Sequence, residues 1–197
     1  MSAASGVRVA EQDGATQRST SIWDRMTPSA YRSALSHVPT SVVIATSTLE
    51  DKPIGMVIGT FSAVSMEPPL VGFFGDSRSS TLGPLLAGGR VTFNLLPQEE
   101  VELVEEFQRP LDDRFSRIDW SWSEFGTPVV ASAVLTVHTQ PHRVVEAGDH
   151  TCVLAEVVGL EQREGRHRPM VFYRHRLSRL DPGLLLDHEI WQLGWYE

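Results

Sequence analysis

Apolar and polar positions divide the chain into three stretches of different character. Residues 1–21 are rich in Ser, Ala, Gly, Thr and Gln and show no period. Such a segment buries too little apolar surface to offset the entropy of ordering it, so a disordered tail is expected there. Tyr31, Ala34, Leu35 and Val38 then recur at helical spacing. Thr27 stands as N-cap, Pro28 at the first helical position and Pro39 as terminator.

Strand patterns dominate beyond this point. Ser41 to Thr48 is rich in β-branched residues, and Leu49-Glu50-Asp51-Lys52 is a polar turn. Ile54 to Ser65 reads as one long strand punctuated by Gly55 and Gly59, broken at Glu67-Pro68-Pro69 and resuming from Leu70 to Phe74. Arg90 to Leu96 is another strand. Val134 to Val145 and Thr151 to Leu160 flank the turn residues Glu146-Ala147-Gly148-Asp149, a hairpin pattern. Met170 to Tyr173 is a last short strand. Two helices interrupt the series, Ser80 to Ala87 and Glu99 to Phe107, the second with Val101, Val104 and Phe107 on one face. The alternation of strand and helix that a parallel sheet requires is missing. Many strands with few helices predict a mainly β chain folded as an antiparallel barrel or sandwich. A third stretch, residues 181–197, carries Leu184, Leu185, Leu186, Ile190, Trp191, Leu193 and Trp195. It is too apolar for a free tail and is expected to pack on the barrel or on another subunit.

Composition narrows the functional classes. Seventeen basic residues stand against 25 acidic ones, a formal charge of -8, which opposes binding of bulk nucleic acid or anionic membranes. Acid gathers at Glu99 to Glu106 and arginine at Arg163 to Arg179. Cys152 is the single cysteine, so a disulfide framework and a Cys-based zinc site are excluded. No apolar run approaches the ~18 residues of a membrane span, and no secretory h-region is evident, so a cytoplasmic protein is expected.

Candidate chemistry is sparse. Ser79, Ser80 and Thr81 gather hydroxyls where a helix begins, beside Arg78, a pattern that suits either an anion site or a plain cap. Gly55 and Gly59 mark either a bend or a close approach of backbone or ligand. His150 leaves a tight turn, where it either meets a ligand or merely decorates the turn. No nucleophile elbow, Ser/His/Asp or Cys/His signature, Walker loop, or dinucleotide fingerprint is present.

In order and spacing, Pro39-Thr40-Ser41-Val42-Val43, Gly55 to Ser65, Pro68-Pro69-Leu70-Val71, Ser79-Ser80-Thr81 and Gly89-Arg90 with Phe93-Asn94-Leu95-Leu96 resemble the flavin reductase family. Asp113-Arg114-Phe115, Gly148-Asp149-His150 and Phe172-Tyr173-Arg174 continue the likeness, which runs from Ser29 to Leu180. These are the short-chain NAD(P)H:flavin oxidoreductases of two-component monooxygenases.

The resemblance implies a flavin-binding split β-barrel domain over residues 22–180. It also implies a homodimer and a partner monooxygenase that receives reduced FMN or FAD, with NADH or NADPH as hydride donor. By the same resemblance, Thr40 and Ser41, with the backbone of Met56, Val57, Ile58, Gly59, Thr60, Phe61 and Ser62, line the isoalloxazine. Ser79, Ser80 and Thr81 lie near the flavin phosphate, and Asn94 and Arg114 are further cofactor-side contacts. His150 faces the nicotinamide and is the catalytic candidate, as a positioning group rather than a proton carrier. The chain departs from many relatives in having Ser41 where they have Gly, and Gly59-Thr60 where they have Asn-Ser. Two other readings remain at this stage, a non-catalytic flavin- or haem-binding barrel and a self-sufficient flavoenzyme acting on an organic substrate.

Overall fold

The computed structural model describes residues 26–164 and 168–180. The tail at 1–21 and the apolar segment at 181–197 lie outside the described residues. Contacts divide the chain into two units, Met1–Leu35 and Ser36–Glu197. In the first, helix α1 spans Pro28–Leu35, and the Ala30 amide donates to Thr27 Oγ1 at 3.1 Å, the expected cap.

The second unit holds strands β1 (Thr40–Ser41), β2 (Val43–Leu49), β3 (Lys52–Ile58), β4 (Ser62–Met66), β5 (Pro69–Asp76) and β6 (Val91–Leu95). It continues with β7 (Trp120–Trp122), β8 (Pro128–Val130), β9 (Leu135–Ala147), β10 (His150–Gln162), β11 (Met170–Tyr173) and β12 (Arg176–Arg179). Helices α2 (Leu82–Ala87) and α3 (Val101–Glu106) interrupt them. Every strand pair among the described residues is antiparallel, as the missing helical crossovers imply. Seven strands form the main sheet, in the order β3-β2-β6-β9-β10-β5-β4. Ile54 and Ile58 of β3 share one buried cluster with Val71 and Phe73 of β5, so the sheet curls until both of its ends close on one core. This is a split barrel.

The run Val42 to Ala45 is apolar at successive positions because β2 is buried on both faces. Val43 and Ala45 enter the barrel core, whereas Val42 and Ile44 enter a second cluster with Leu103, Phe107 and Phe115 beneath α3. The Glu50-Asp51 turn has φ of 50° and 60° at its two central residues, the sense that suits the twist of a two-residue hairpin. Gly148, at φ 69°, opens the β9–β10 hairpin, where Ala147 pairs with His150.

Two sequence expectations are corrected. Ile54 to Ser65 is not one strand, because β3 ends at Ile58, β4 begins at Ser62, and the two occupy opposite edges of the sheet. Their periodicities look continuous, but Gly59-Thr60-Phe61 carries the chain from one edge to the other. In α3, Leu103 and not Val101 faces the core; Val101 is 41% exposed. Strands β7, β8 and β12 were missed, each being only three or four residues long.

His138, with no exposed surface, is held within the sheet rather than offered to a ligand. Its Nδ1 lies 3.0 Å from Thr92 Oγ1 and its Nε2 2.9 Å from Glu161 Oε1, and its ring stacks on Phe125. Its polar atoms are satisfied by protein, as burial demands.

Candidate functional site

Strand β5 gathers the residues singled out by sequence. Beside it runs the link Gly59-Thr60-Phe61. Thr60 Oγ1 donates to the Phe74 carbonyl at 2.8 Å and accepts from the Phe74 amide at 2.9 Å, so a side chain replaces a missing rung of the ladder. Among the described residues, the amides of Thr60 and Phe61 make no hydrogen bond of their own. Phe61 packs on Phe93 with centroids 4.9 Å apart and fixes the link to the core. Ser62 opens β4 opposite Gly72. A Cβ on Gly59 would stand 3.2 Å from Thr40 Oγ1, so glycine is what lets β1 approach the link. Thr40, Ser41 and Gly59 are thus brought together.

Val57, Ile58 and Gly59 also wall a cavity of about 350 Å³, whose other sides include Gln108, Phe172 and His175. Met56 and Ile58 turn into the barrel core and Val57 toward the second cluster.

Past β5, residues 77–81 lead into α2. The Ser77 amide donates to the Asp149 carbonyl at 3.0 Å, and Ser77 Oγ lies 3.0 Å from Thr151 Oγ1. Asp76 pairs directly with His150 across β5 and β10. The hydroxyl-rich turn and the histidine hairpin, some seventy residues apart in the chain, therefore meet.

His150 Nδ1 lies 2.7 Å from Asp149 Oδ1. The hydrogen bond to His150 holds the Asp149 carboxyl below its ordinary pKa, so the ionised carboxylate accepts and Nδ1–H donates. That fixes the ring and leaves Nε2 for a ligand. Asp76 is held well below the usual carboxylate range by hydrogen bonds from Arg78, whose side chain grips both of its oxygens.

The hydroxyl cluster divides by role. Ser79 Oγ accepts from the Thr81 and Leu82 amides at 3.2 and 3.3 Å, and so caps α2 itself. Ser80 is exposed. Thr81 is buried, its Oγ1 accepting from Arg114 Nη1 at 3.1 Å. Two of the amides expected to bind an anion are therefore already satisfied, and Arg78 is already paired.

Asn94 and Arg114 are both tied into the protein by hydrogen bonds. Asn94 has no exposed surface. Its Nδ2 donates to the Ile44 carbonyl and Thr46 Oγ1, and its Oδ1 accepts from the Val130 amide. It fastens β2, β6 and β8 together. Arg114 also points inward. Nη1 donates to the Gly55 carbonyl at 2.7 Å as well as to Thr81, and Nε donates to the Arg109 carbonyl at 2.9 Å. Burial pulls its pKa below the ordinary value. Arg114 therefore ties β3 to the turn that leads into α2. Sequence reading missed Gln108 and His175 altogether. The signal for His175 was the non-glycine pair Arg174-His175 in a two-residue turn.

The model of the Flavin reductase like domain family matches residues 35–181. The reductase subunit HsaB of a flavin-dependent monooxygenase from Mycobacterium tuberculosis is 30% identical over 156 residues, 79% of this chain and 83% of the relative. A flavin reductase of Pseudomonas putida is 32% identical over 148 residues, 75% and 86% of the two chains. Among solved structures, nitrilotriacetate monooxygenase component B from Mycobacterium thermoresistibile superposes with a TM-score of 0.79 at 29% identity, covering 84% of this chain and 93% of the other. The Streptomyces globisporus NADH:FAD oxidoreductase SgcE6, solved with NAD and FAD fragments, superposes with a TM-score of 0.75 at 28% identity, covering 80% and 95%.

Proposed function

The chain belongs to the flavin reductase-like family, and from that premise we propose that it is an NAD(P)H:flavin oxidoreductase whose reduced flavin serves a partner monooxygenase. The observation that carries this reading is the convergence on β5. The 59–62 link, with its two unpaired amides, lies beside Gly72 to Phe74, and the 77–81 turn follows directly from the same end of the strand, against His150.

The residues present suit a flavin. Its ring has broad apolar faces and a polar rim, and the link offers amide donors beside an apolar cavity. When bound, the flavin supplies a two-electron acceptor for the nicotinamide hydride. The chain's part is to hold and orient. Thr40, Ser41 and the backbone of Met56 to Ser62 would hold the ring, and the Thr60 and Phe61 amides would serve as donors to its polar rim. Ser79 and Ser80 would hold the phosphate. Thr81 and Arg114 support that turn from within.

His150, oriented by Asp149, positions the nicotinamide. Replacing His150 with Ala is expected to raise the KM for NADH about tenfold, with a smaller change in kcat. Steady-state kinetics with NADH varied at saturating flavin checks this, and an unchanged KM would remove the assignment.

A homodimer is part of the same reading. Val64, Phe74 and Val145 lie on one outer face of the β4-β5-β10-β9 part of the sheet, 42%, 47% and 40% exposed. An apolar face of that kind suits a second copy of the chain, and sedimentation showing only monomer would remove it. Among the described residues, no helix is long and apolar enough to cross a membrane. A cytoplasmic site of action fits the need for NAD(P)H.

The decisive experiment is a matrix of NADH and NADPH against FMN, FAD and riboflavin, followed by loss of the nicotinamide absorbance. Flavin-dependent turnover is expected. Its absence with every pair would leave a flavin-binding module without reductase activity.

A further inference from the structure

The tip of the β11–β12 hairpin is built from two residues that its backbone disfavours. Arg174 and His175 have φ of 50° and 62°, in the left-handed region where glycine or asparagine is usual. Arg174 has a use there, because its amide donates to the Ser36 carbonyl at 2.8 Å. The side chain of His175 lines the cavity of about 350 Å³ beside Gly59. Glycine would relieve the strain but would leave the cavity without an imidazole. Strained residues that persist at a cavity wall point to use of the side chain.

The cavity has the polarity of a ring site. Val57, Ile58 and Phe172 are among its apolar walls, and Gln108 and His175 are its polar side chains. Such a distribution matches a planar heteroaromatic ring, with apolar faces and hydrogen-bonding groups confined to its edge. The Val57–Gly59 wall runs directly into the link with unpaired Thr60 and Phe61 amides. Gln108 follows α3 and His175 sits at the tip of the β11–β12 hairpin, so the polar residues come from two elements remote from the link in the chain.

We propose that His175, with Gln108, is a specificity-determining residue that hydrogen-bonds the amide-type edge of a planar ring seated in this cavity. The inference rests on the flavin reductase reading, under which the flavin and the nicotinamide both carry such an edge.

His175→Gly and His175→Asn test it. Both residues accept positive φ, so both variants are expected to melt at or above the temperature of the parent protein. FMN binding, read by quenching of FMN fluorescence without nicotinamide, and the KM for NADH are measured in each. In His175→Gly one of these constants is expected to weaken about five- to tenfold, the loss of one ring-edge hydrogen bond, with kcat within about twofold. The constant that moves identifies the ring. His175→Asn keeps an amide at the edge and is expected to recover part of the loss. Unchanged constants in His175→Gly, or equal losses in both variants, would overturn the proposal. The titration with FMN requires no turnover, so it reads His175 even if the matrix of nicotinamides and flavins shows no reductase activity.

Discussion

Replacing Asn94 by Ala is expected to remove about 2–4 kcal/mol of stability while leaving flavin affinity in the folded protein unchanged. The side chain lies in the interior and joins three strands. It accepts from the Val130 amide at 3.0 Å and donates to the Ile44 carbonyl at 3.1 Å. Alanine deprives the Val130 N–H of its acceptor, and each buried polar group left without a partner costs about 1–3 kcal/mol. The lost volume adds a cavity term. Urea unfolding beside a flavin titration separates the two possible roles. Parental stability combined with weakened flavin binding would return Asn94 to the cofactor site, where the family resemblance had placed it.

Gly55→Ala is expected to cost about 1–3 kcal/mol through overpacking. The new methyl would stand 2.5 Å from Phe107 Cε1 and 3.1 Å from Phe115 Cζ, with the Ala45 carbonyl oxygen 3.3 Å away. The aromatic rings have little room to yield. Phe107 and Phe115 meet edge to face at 5.3 Å, and Phe115 meets Trp120 in the same way at 5.3 Å. The change also displaces the carbonyl that Arg114 grips, so it reaches Thr81 and the 77–81 turn. Both a lower melting temperature and a raised KM for flavin are therefore expected. A second substitution, Phe107→Leu, makes room beside the methyl and is expected to restore part of the stability. A double-mutant cycle by thermal unfolding measures that coupling. Strict additivity of the two changes would show that the methyl does not meet Phe107.

These two residues mark where sequence reading was and was not sufficient. Gly55 was readable as a place of close approach, but whether a ligand or a side chain approached was not. Phe107 lies 52 positions later, and no local pattern joins the two. Asn94 sits in a strand of alternating character and was given as a cofactor-side contact by likeness to a family. Its burial follows from β8, a strand of three residues too short to announce itself. The pairing of Ser77 with Asp149 and Thr151 was equally hidden, although both turns were recognised separately. Arg174-His175 looked like part of a basic run, whereas its positive φ values set one of those side chains into a cavity wall.

The sequence by itself determined the mainly β, antiparallel character, the hairpins at Glu50-Asp51 and Gly148-Asp149, and the cap at Thr27. These depend on periodicity and turn chemistry within a few residues, which the chain displays directly. Tertiary structure decided that the apparent strand from Ile54 to Ser65 divides between opposite edges of the sheet. It also decided that Thr81 and Arg114 turn inward together, and that His150 stands against the turn after β5. Hydrophobic alternation specifies which side of a strand is buried, but it carries no record of which distant strand lies alongside, because pairing is chosen by the packing of the whole core.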